Sequence, residues 1–234
     1  LTVFFSDIKG FTEITDRLEP EVLSTLLNSY LNEMSKIALK YGGTIDKFVG
    51  DAILIFFGDP ETKGDKEDAY SCVLMALEMQ ERMHHLKKLW EGQGITNPLE
   101  IRIGINTGYC NVGNFGSENR LDYTIIGGEV NLASRLESNA MTGQILISQE
   151  TYALIKKHIV CEKKDEIKVK GIAHKIQTYQ VVGSYKNIAQ KRKILNEEFD
   201  GFNLNIDLNI TNKNRVITSL ENTLKQLKKN EKSN

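Results

Sequence analysis

Two short apolar runs, Thr44 to Val49 and Ala52 to Phe57, are separated by nothing but Gly50 and Asp51. Strand-length runs joined by a two-residue Gly/Asp break read as a β-hairpin, with Asp51 at its tip. The flanking strands are too apolar for that acid to be a random surface charge. The hairpin commits this part of the chain to a sheet, and a sheet this apolar needs helices to cover it. Helical spacing supplies them. Val22, Leu26, Tyr30, Met34, Ile37 and Tyr41 recur within Glu21 to Tyr41, which Gly42 and Gly43 then stop. A long helix from about Asp65 to Trp90 carries Ala69, Val73, Ala76, Leu77, Gln80 and Met83 on one side. Thr2 to Ser6, Leu99 to Thr107, Tyr109 to Phe115 and Leu121 to Ile126 read as strands, Glu129 to Leu136 as a helix. Gln144 to Ser148, Ile159 to Val169 and Ile176 to Val182 read as the closing strands. The order is that of an α+β body.

Composition narrows the function. Lys and Arg number 30 against 31 Asp and Glu, a net charge of -1 that gives no electrostatic ground for nucleic-acid binding. No apolar run approaches the roughly 20 residues that span a bilayer, and Leu1 to Lys9 lacks the form of a secretory signal. This segment is therefore expected to be soluble, without membrane contact. Cys72, Cys110 and Cys161 are odd in number and widely spaced, which reads as buried thiols in a reducing, cytoplasmic setting rather than a disulfide framework or zinc knuckle. A start at Leu1 suggests a longer protein with an upstream sensor or membrane region.

A boundary is expected near Gly183 and Ser184, giving a main domain over 1–183 and an appendage over 184–234. In the appendage, Phe202, Leu204, Ile206, Leu208 and Ile210 alternate with polar residues as in a half-buried strand. Val216, Ile217, Leu220, Leu224 and Leu227 form a helical stripe before the Lys-rich end, Lys225 to Lys232. So small a unit is expected to pack on the main body or on a partner, as a structural arm or as a contact that regulates or builds a dimer.

Phe5-Ser6-Asp7-Ile8-Lys9-Gly10-Phe11-Thr12 puts an acid at the end of an apolar strand, then a glycine and a helical start. Such a strand, loop and helix aims backbone N–H groups at an anion while the carboxylate holds a hard cation, which suits metal-bound phosphate. If the hairpin lies beside the first strand, Asp7 and Asp51 converge at one sheet edge and suit two divalent ions about 3.5–4 Å apart. Asn131 and Arg135, four apart on the later helix, share a face and reach one ligand together.

These segments, with Asp46-Lys47-Phe48-Val49-Gly50-Asp51, Gly104-Ile105-Asn106-Thr107-Gly108, Asp122-Tyr123-Thr124-Ile125-Ile126-Gly127, Val130 to Glu137 and Val169-Lys170-Gly171, resemble the class III nucleotidyl cyclase catalytic domain over nearly all of 1–183. The resemblance implies a ferredoxin-like βαββαβ core, with helices on one side of the sheet and extra hairpin strands, that forms a head-to-tail homodimer with sites at the interface. It implies two Mg or Mn ions per site on Asp7, Asp51 and the backbone carbonyl of Ile8. One ion lowers the pKa of the ribose 3'-hydroxyl and the other neutralises the triphosphate, so that ATP yields cyclic AMP and pyrophosphate. Asn131 would orient the ribose and Arg135 stabilise the transition state from the opposing subunit. Lys47 would donate to adenine N1 and Thr124 accept from the exocyclic amine, where guanylyl members carry Glu and Cys. Phe11 and Thr12 join the substrate site. Lys170 or Lys175 would anchor the terminal phosphates, since the family's Lys-Gly-Lys-Gly pattern is altered here; Arg120 is a further candidate. Gly128-Glu129 departs from the family's Asp or Asn at what reads as a helix cap. The alternatives are a guanylate cyclase and a catalytically silent nucleotide-binding regulatory module. His84 and His85 read as a solvated helix face, and Met75, Met79 and Met83 as core.

Overall fold

The computed structural model describes residues 1–95, 99–169, 175–185, 194–199, 202–207 and 213–231. Lys170, Leu208, Ile210 and Lys232 lie outside them. The chain divides into two compact units, Leu1–Ser184 and Tyr185–Asn234.

The first unit opens with β1 (Thr2–Ile8), the short α1 (Phe11–Thr15), α2 (Pro20–Tyr41), β2 (Thr44–Val49), β3 (Ala52–Phe57), α3 (Asp65–Gly92) and β4 (Ile101–Thr107). There follow β5 (Asn111–Ser117), β6 (Arg120–Ile126), α4 (Gly128–Asn139), β7 (Ile145–Ser148), α5 (Gln149–Ile155), β8 (Ile159–Lys163) and β9 (Thr178–Ser184). Seven strands form one sheet in the order β2-β3-β1-β4-β7-β9-β8, and β5 pairs with β6 apart from it. The first four strands with α2 and α3 are the expected βαββαβ core. Among the described residues, only β4 and β7 run parallel.

Alternation sets the layers. Phe4, Ile53, Ile55, Ile103 and Ile105 pack with Leu26, Tyr30, Met34, Val73, Ala76 and Met79 of α2 and α3. Their strand neighbours Val3, Leu54 and Phe56 face the other way and pack with Ala133 of α4 and Ile125 of β6. Helices on one side therefore describe α1, α2, α3 and α5, whose apolar residues join one cluster; α4 lies on the opposite face. The reason is in β1 and β3, whose successive residues are buried on both faces and so need cover on both. The expected strand Ile159 to Val169 ends at Lys163, and Ile167 survives as a single bridge to Ile176. Met75, Met79 and Met83 are core. Cys72 is buried, but Cys110 and Cys161 are half-buried, a correction to three buried thiols.

In the second unit, β10 (Ile194–Phe199) pairs with β11 (Phe202–Asp207), and α6 spans Lys213–Glu231. Phe202, Leu204 and Ile206 are half-buried as the alternation predicts. The partner strand was not legible, because Ile194–Phe199 carries Asn196, Glu197 and Glu198 in succession.

Candidate active site

The hairpin registry builds the first half of the site. β3 runs antiparallel to β1 with Ser6 opposite Ile53, which delivers the β2–β3 tip to the end of β1. Gly50, in the left-handed region at φ 65°, makes the turn. The Ile8 N–H donates to Asp51 Oδ2 at 2.9 Å, so the tip is tied to β1. The Asp51 carboxyl is pushed up to about 6, first by burial and then by its hydrogen bond with Asp7, with the Ile8 N–H working against both. Two carboxylates thus share one place, as the sequence predicts. For Ile8 the visible contact is its amide on Asp51; its carbonyl sits at the same strand end.

Across β1, Arg102 of β4 stands in register with Asp7. Its guanidinium contacts Asp7 Oδ2 at 3.0 Å, the Ser138 carbonyl at 3.2 Å and, through Nε, Glu137 Oε1 at 2.5 Å. The Nε contact is an ion pair without hydrogen-bond alignment. Burial raises the Glu137 carboxyl above the ordinary range, while the Arg102 charge opposes that rise. Among the described residues no group of three or more His, Cys, Asp or Glu side chains is placed to enclose a metal. Two carboxylates are what Mg uses when substrate phosphates and water complete its shell, so the donor set fits a divalent ion brought with a nucleotide.

The other end of the same hairpin carries a second cluster. Between Ile45 and Lys47 the β2–β3 register shifts, leaving Asp46 as the extra residue of a bulge. A regular strand would point Asp46 and Lys47 to opposite faces; the bulge re-aims them so that Lys47 Nζ lies 3.2 Å from Asp46 Oδ1. Asp46 Oδ2 accepts from the Thr124 hydroxyl at 2.6 Å and from the Ile125 N–H at 3.1 Å, both on β6. Lys47 and Thr124 are brought together through Asp46, whose side chain is 1% exposed.

Helix α4 forms the third part. Asn131 and Arg135 are exposed and, with Ser134 and Val169, line one cleft of about 290 Å³. The helix sits this close because β4 has Gly104 beneath it: a Cβ there would meet the Glu137 nitrogen at 2.1 Å and the Ala133 oxygen at 2.3 Å. Asn106 ties its start by donating to the Glu129 side chain at 2.7 Å and backbone at 3.1 Å. The capping position is Gly127 rather than Gly128, and no side chain caps it.

Other expected residues fall less centrally. Phe11 packs on the main core, and Thr12 is exposed at the start of the five-residue α1. Arg120 is exposed at the β5–β6 turn, 3.7 Å from Asp122. Lys175 is exposed and 3.9 Å from Glu166. His84 and His85 are exposed, as predicted. Sequence reasoning missed Arg102 and Asp46. The signal for each was a charge in an apolar strand: Ile101-Arg102-Ile103 and Ile45-Asp46.

Residues 1–183 match the family described as Adenylate and Guanylate cyclase catalytic domain. The crystal structure of the adenylyl cyclase CyaB from P. aeruginosa is 64% identical and superposes with a TM-score of 0.78 over 79% of this chain and 94% of that one. The guanylyl cyclase Cya2 structure is 37% identical, with a TM-score of 0.74 over 78% of this chain and 91% of that one. An adenylate cyclase of Anabaena cylindrica is 30% identical over 77% of this chain, and Adenylate cyclase 1 of Rhizobium meliloti 32% identical over 78%. The chain spans 36% and 27% of the length of those two relatives.

Proposed function

The chain belongs to the adenylate and guanylate cyclase catalytic-domain family, and from that premise we propose that it converts ATP to 3',5'-cyclic AMP and pyrophosphate at the interface of a head-to-tail homodimer. The reading rests above all on the Asp7–Asp51 pair, two carboxylates drawn together by the tie of the hairpin tip to β1, with Asp51 raised by burial and by Asp7. Like charges held at such a cost make sense where divalent cations arrive with substrate. Residues 1–183 form the catalytic domain and 184–234 the appendage.

Asp7 and Asp51 would hold two Mg or Mn ions, which supply a lowered pKa at the ribose 3'-hydroxyl and charge neutralisation on the triphosphate. The remaining work falls to side chains. Arg102, already against Asp7 at 3.0 Å, offers a guanidinium to phosphate oxygens. Asn131 orients the ribose and Arg135 meets the negative charge that develops as the 3'-oxygen attacks the α-phosphorus in line and pyrophosphate leaves. Lys47 donates to adenine N1, and Thr124 accepts from the 6-amino group. Positioning and charge stabilisation carry the reaction, with no covalent intermediate on the protein. The use of ATP and the three free thiols suit a reducing, cytoplasmic setting for this domain. No described helix is long and apolar enough to cross a membrane.

A guanylate cyclase is the second reading, favoured by the 37% identity to Cya2 and opposed by Lys47 and Thr124. The test is cyclic nucleotide formation by the purified chain from ATP and from GTP, in Mg and in Mn, over a range of protein concentration. Cyclic AMP, with specific activity rising with concentration, supports the proposal. Cyclic GMP alone favours the second reading, and no product from a folded dimer favours a silent regulatory module.

A further inference from the structure

Asp46 is a nearly buried acid that the reaction as described does not use. It sits at the bulge of β2, where its side chain is 1% exposed, and both of its oxygens are turned toward residues assigned to the base. Oδ1 faces the Lys47 ammonium at 3.2 Å. Oδ2 takes the Thr124 hydroxyl at 2.6 Å and the Ile125 N–H at 3.1 Å.

A threonine hydroxyl is ambivalent: it has one proton to give and lone pairs to offer. Left free, it pairs with an amino group or with a carbonyl by rotating. A carboxylate ion-paired to an ammonium is an acceptor only, so a hydroxyl held at 2.6 Å from it must spend its proton there. We propose that Asp46 is a positioning residue for base selection: it takes the Thr124 proton, leaving Thr124 Oγ1 as an acceptor suited to a 6-amino purine and unsuited to a 6-oxo purine. The Ile125 amide holds the carboxylate in place from the same strand, and the bulge explains how one short segment reaches both Lys47 and Thr124. Burial adds to the effect, because Thr124 is 6% exposed and its hydroxyl has little water to turn toward.

This inference rests on the adenylate cyclase reading. Its test compares ATP with inosine triphosphate, whose base carries a 6-oxo group, as the ratio of kcat/KM values. Asp46→Leu, close to Asp in size and without an acceptor for the Thr124 proton, is expected to lower that preference about tenfold, the scale of one hydrogen bond. In a Thr124→Val background, which has no hydroxyl to orient, the same change is expected to alter the preference less than about twofold. A defect that is merely structural would lower activity on both nucleotides together and leave the ratio alone. An unchanged ratio, or an equal drop in both backgrounds, overturns the inference while the parent chain still forms cyclic AMP. A parent chain that forms none from ATP overturns the function reading and this inference with it. If Asp46→Leu does not fold, Thr124→Val alone decides: it keeps the Asp46–Ile125 bond, and an unaltered preference for the 6-amino over the 6-oxo group shows that Thr124 is no acceptor.

Discussion

The two ends of the β2–β3 hairpin hold acids in opposite ways. At the tip, Asp51 is crowded by Asp7 and pushed up to about 6, with a backbone amide in partial compensation. Five residues earlier, Asp46 is nearly buried, yet it is matched by the Lys47 ammonium and by two donors from β6. The first sets two carboxylates against the one Arg102 guanidinium and calls for cations; in the second, Lys47 balances the charge and the two donors on Oδ2 fix the direction of hydrogen bonds. Reactive charge and recognition are thus separated along one hairpin, and different substitutions should expose each.

The largest effect belongs to the hairpin tip. Asp7→Ala or Asp51→Ala should lower cyclic AMP formation by about a thousandfold or more while the fold, followed by circular dichroism, is retained. If either variant kept most of its activity, the tip would not be where the chemistry occurs. Next is the support beneath α4. Gly104→Ala forces a Cβ to within 2.1 Å of the Glu137 nitrogen and should cost about 3 kcal/mol, read as a fall in melting temperature of roughly 10 °C. It should also lower activity, since α4 carries Asn131 and Arg135.

Arg102→Ala comes third, at about 1–3 kcal/mol, because it leaves Glu137 buried without its cation. Burial already raises the Glu137 carboxyl, and removing Arg102 raises it further. The deficit should therefore be small at acid pH, where Glu137 takes a proton, and grow as pH rises above the ordinary carboxylate range. Thermal melts at two pH values measure it, and a pH-independent deficit would deny the pairing.

Asp51 gives a pH signature of its own. Its folded pKa of about 6 lies above the ordinary 3.8, so the metal-free fold should lose stability as pH rises between those values. Mg, which needs the ionised form, should stabilise the protein more as pH rises through about 6. Melting curves with and without Mg should show both trends, and Asp51→Asn should flatten them. At the small end, His84→Ala and His85→Ala should each stay within about 0.5 kcal/mol of the parent, as solvated positions do.

Much of this could be read before any coordinates. The hairpin with Asp51 at its tip, the two long helices and the i, i+4 placement of Asn131 and Arg135 follow from local pattern, because strand alternation, helix period and Gly breaks act over a few residues. What escaped depends on distant neighbours. Arg102 gains its meaning from antiparallel register with Asp7, and Asp46 from a bulge that points it at Thr124. The cover of both sheet faces likewise required the packing of α4, which nothing in Glu129 to Leu136 announces. Arg120 was a candidate because it adjoins a recognisable segment, and it lies exposed at the β5–β6 turn.

The central claim, that one site draws acids from one subunit and α4 from the other, is tested most directly by mixing chains. Asp51→Ala and Arg135→Ala variants, each inactive alone, should on mixing regain about a quarter of the parent's cyclic AMP formation. Half of randomly paired dimers are mixed, and each mixed dimer holds one intact site of two. Recovery near that level is the predicted result. No recovery, in a mixture shown to contain mixed dimers, would contradict the shared site and place both residues in one subunit's chemistry.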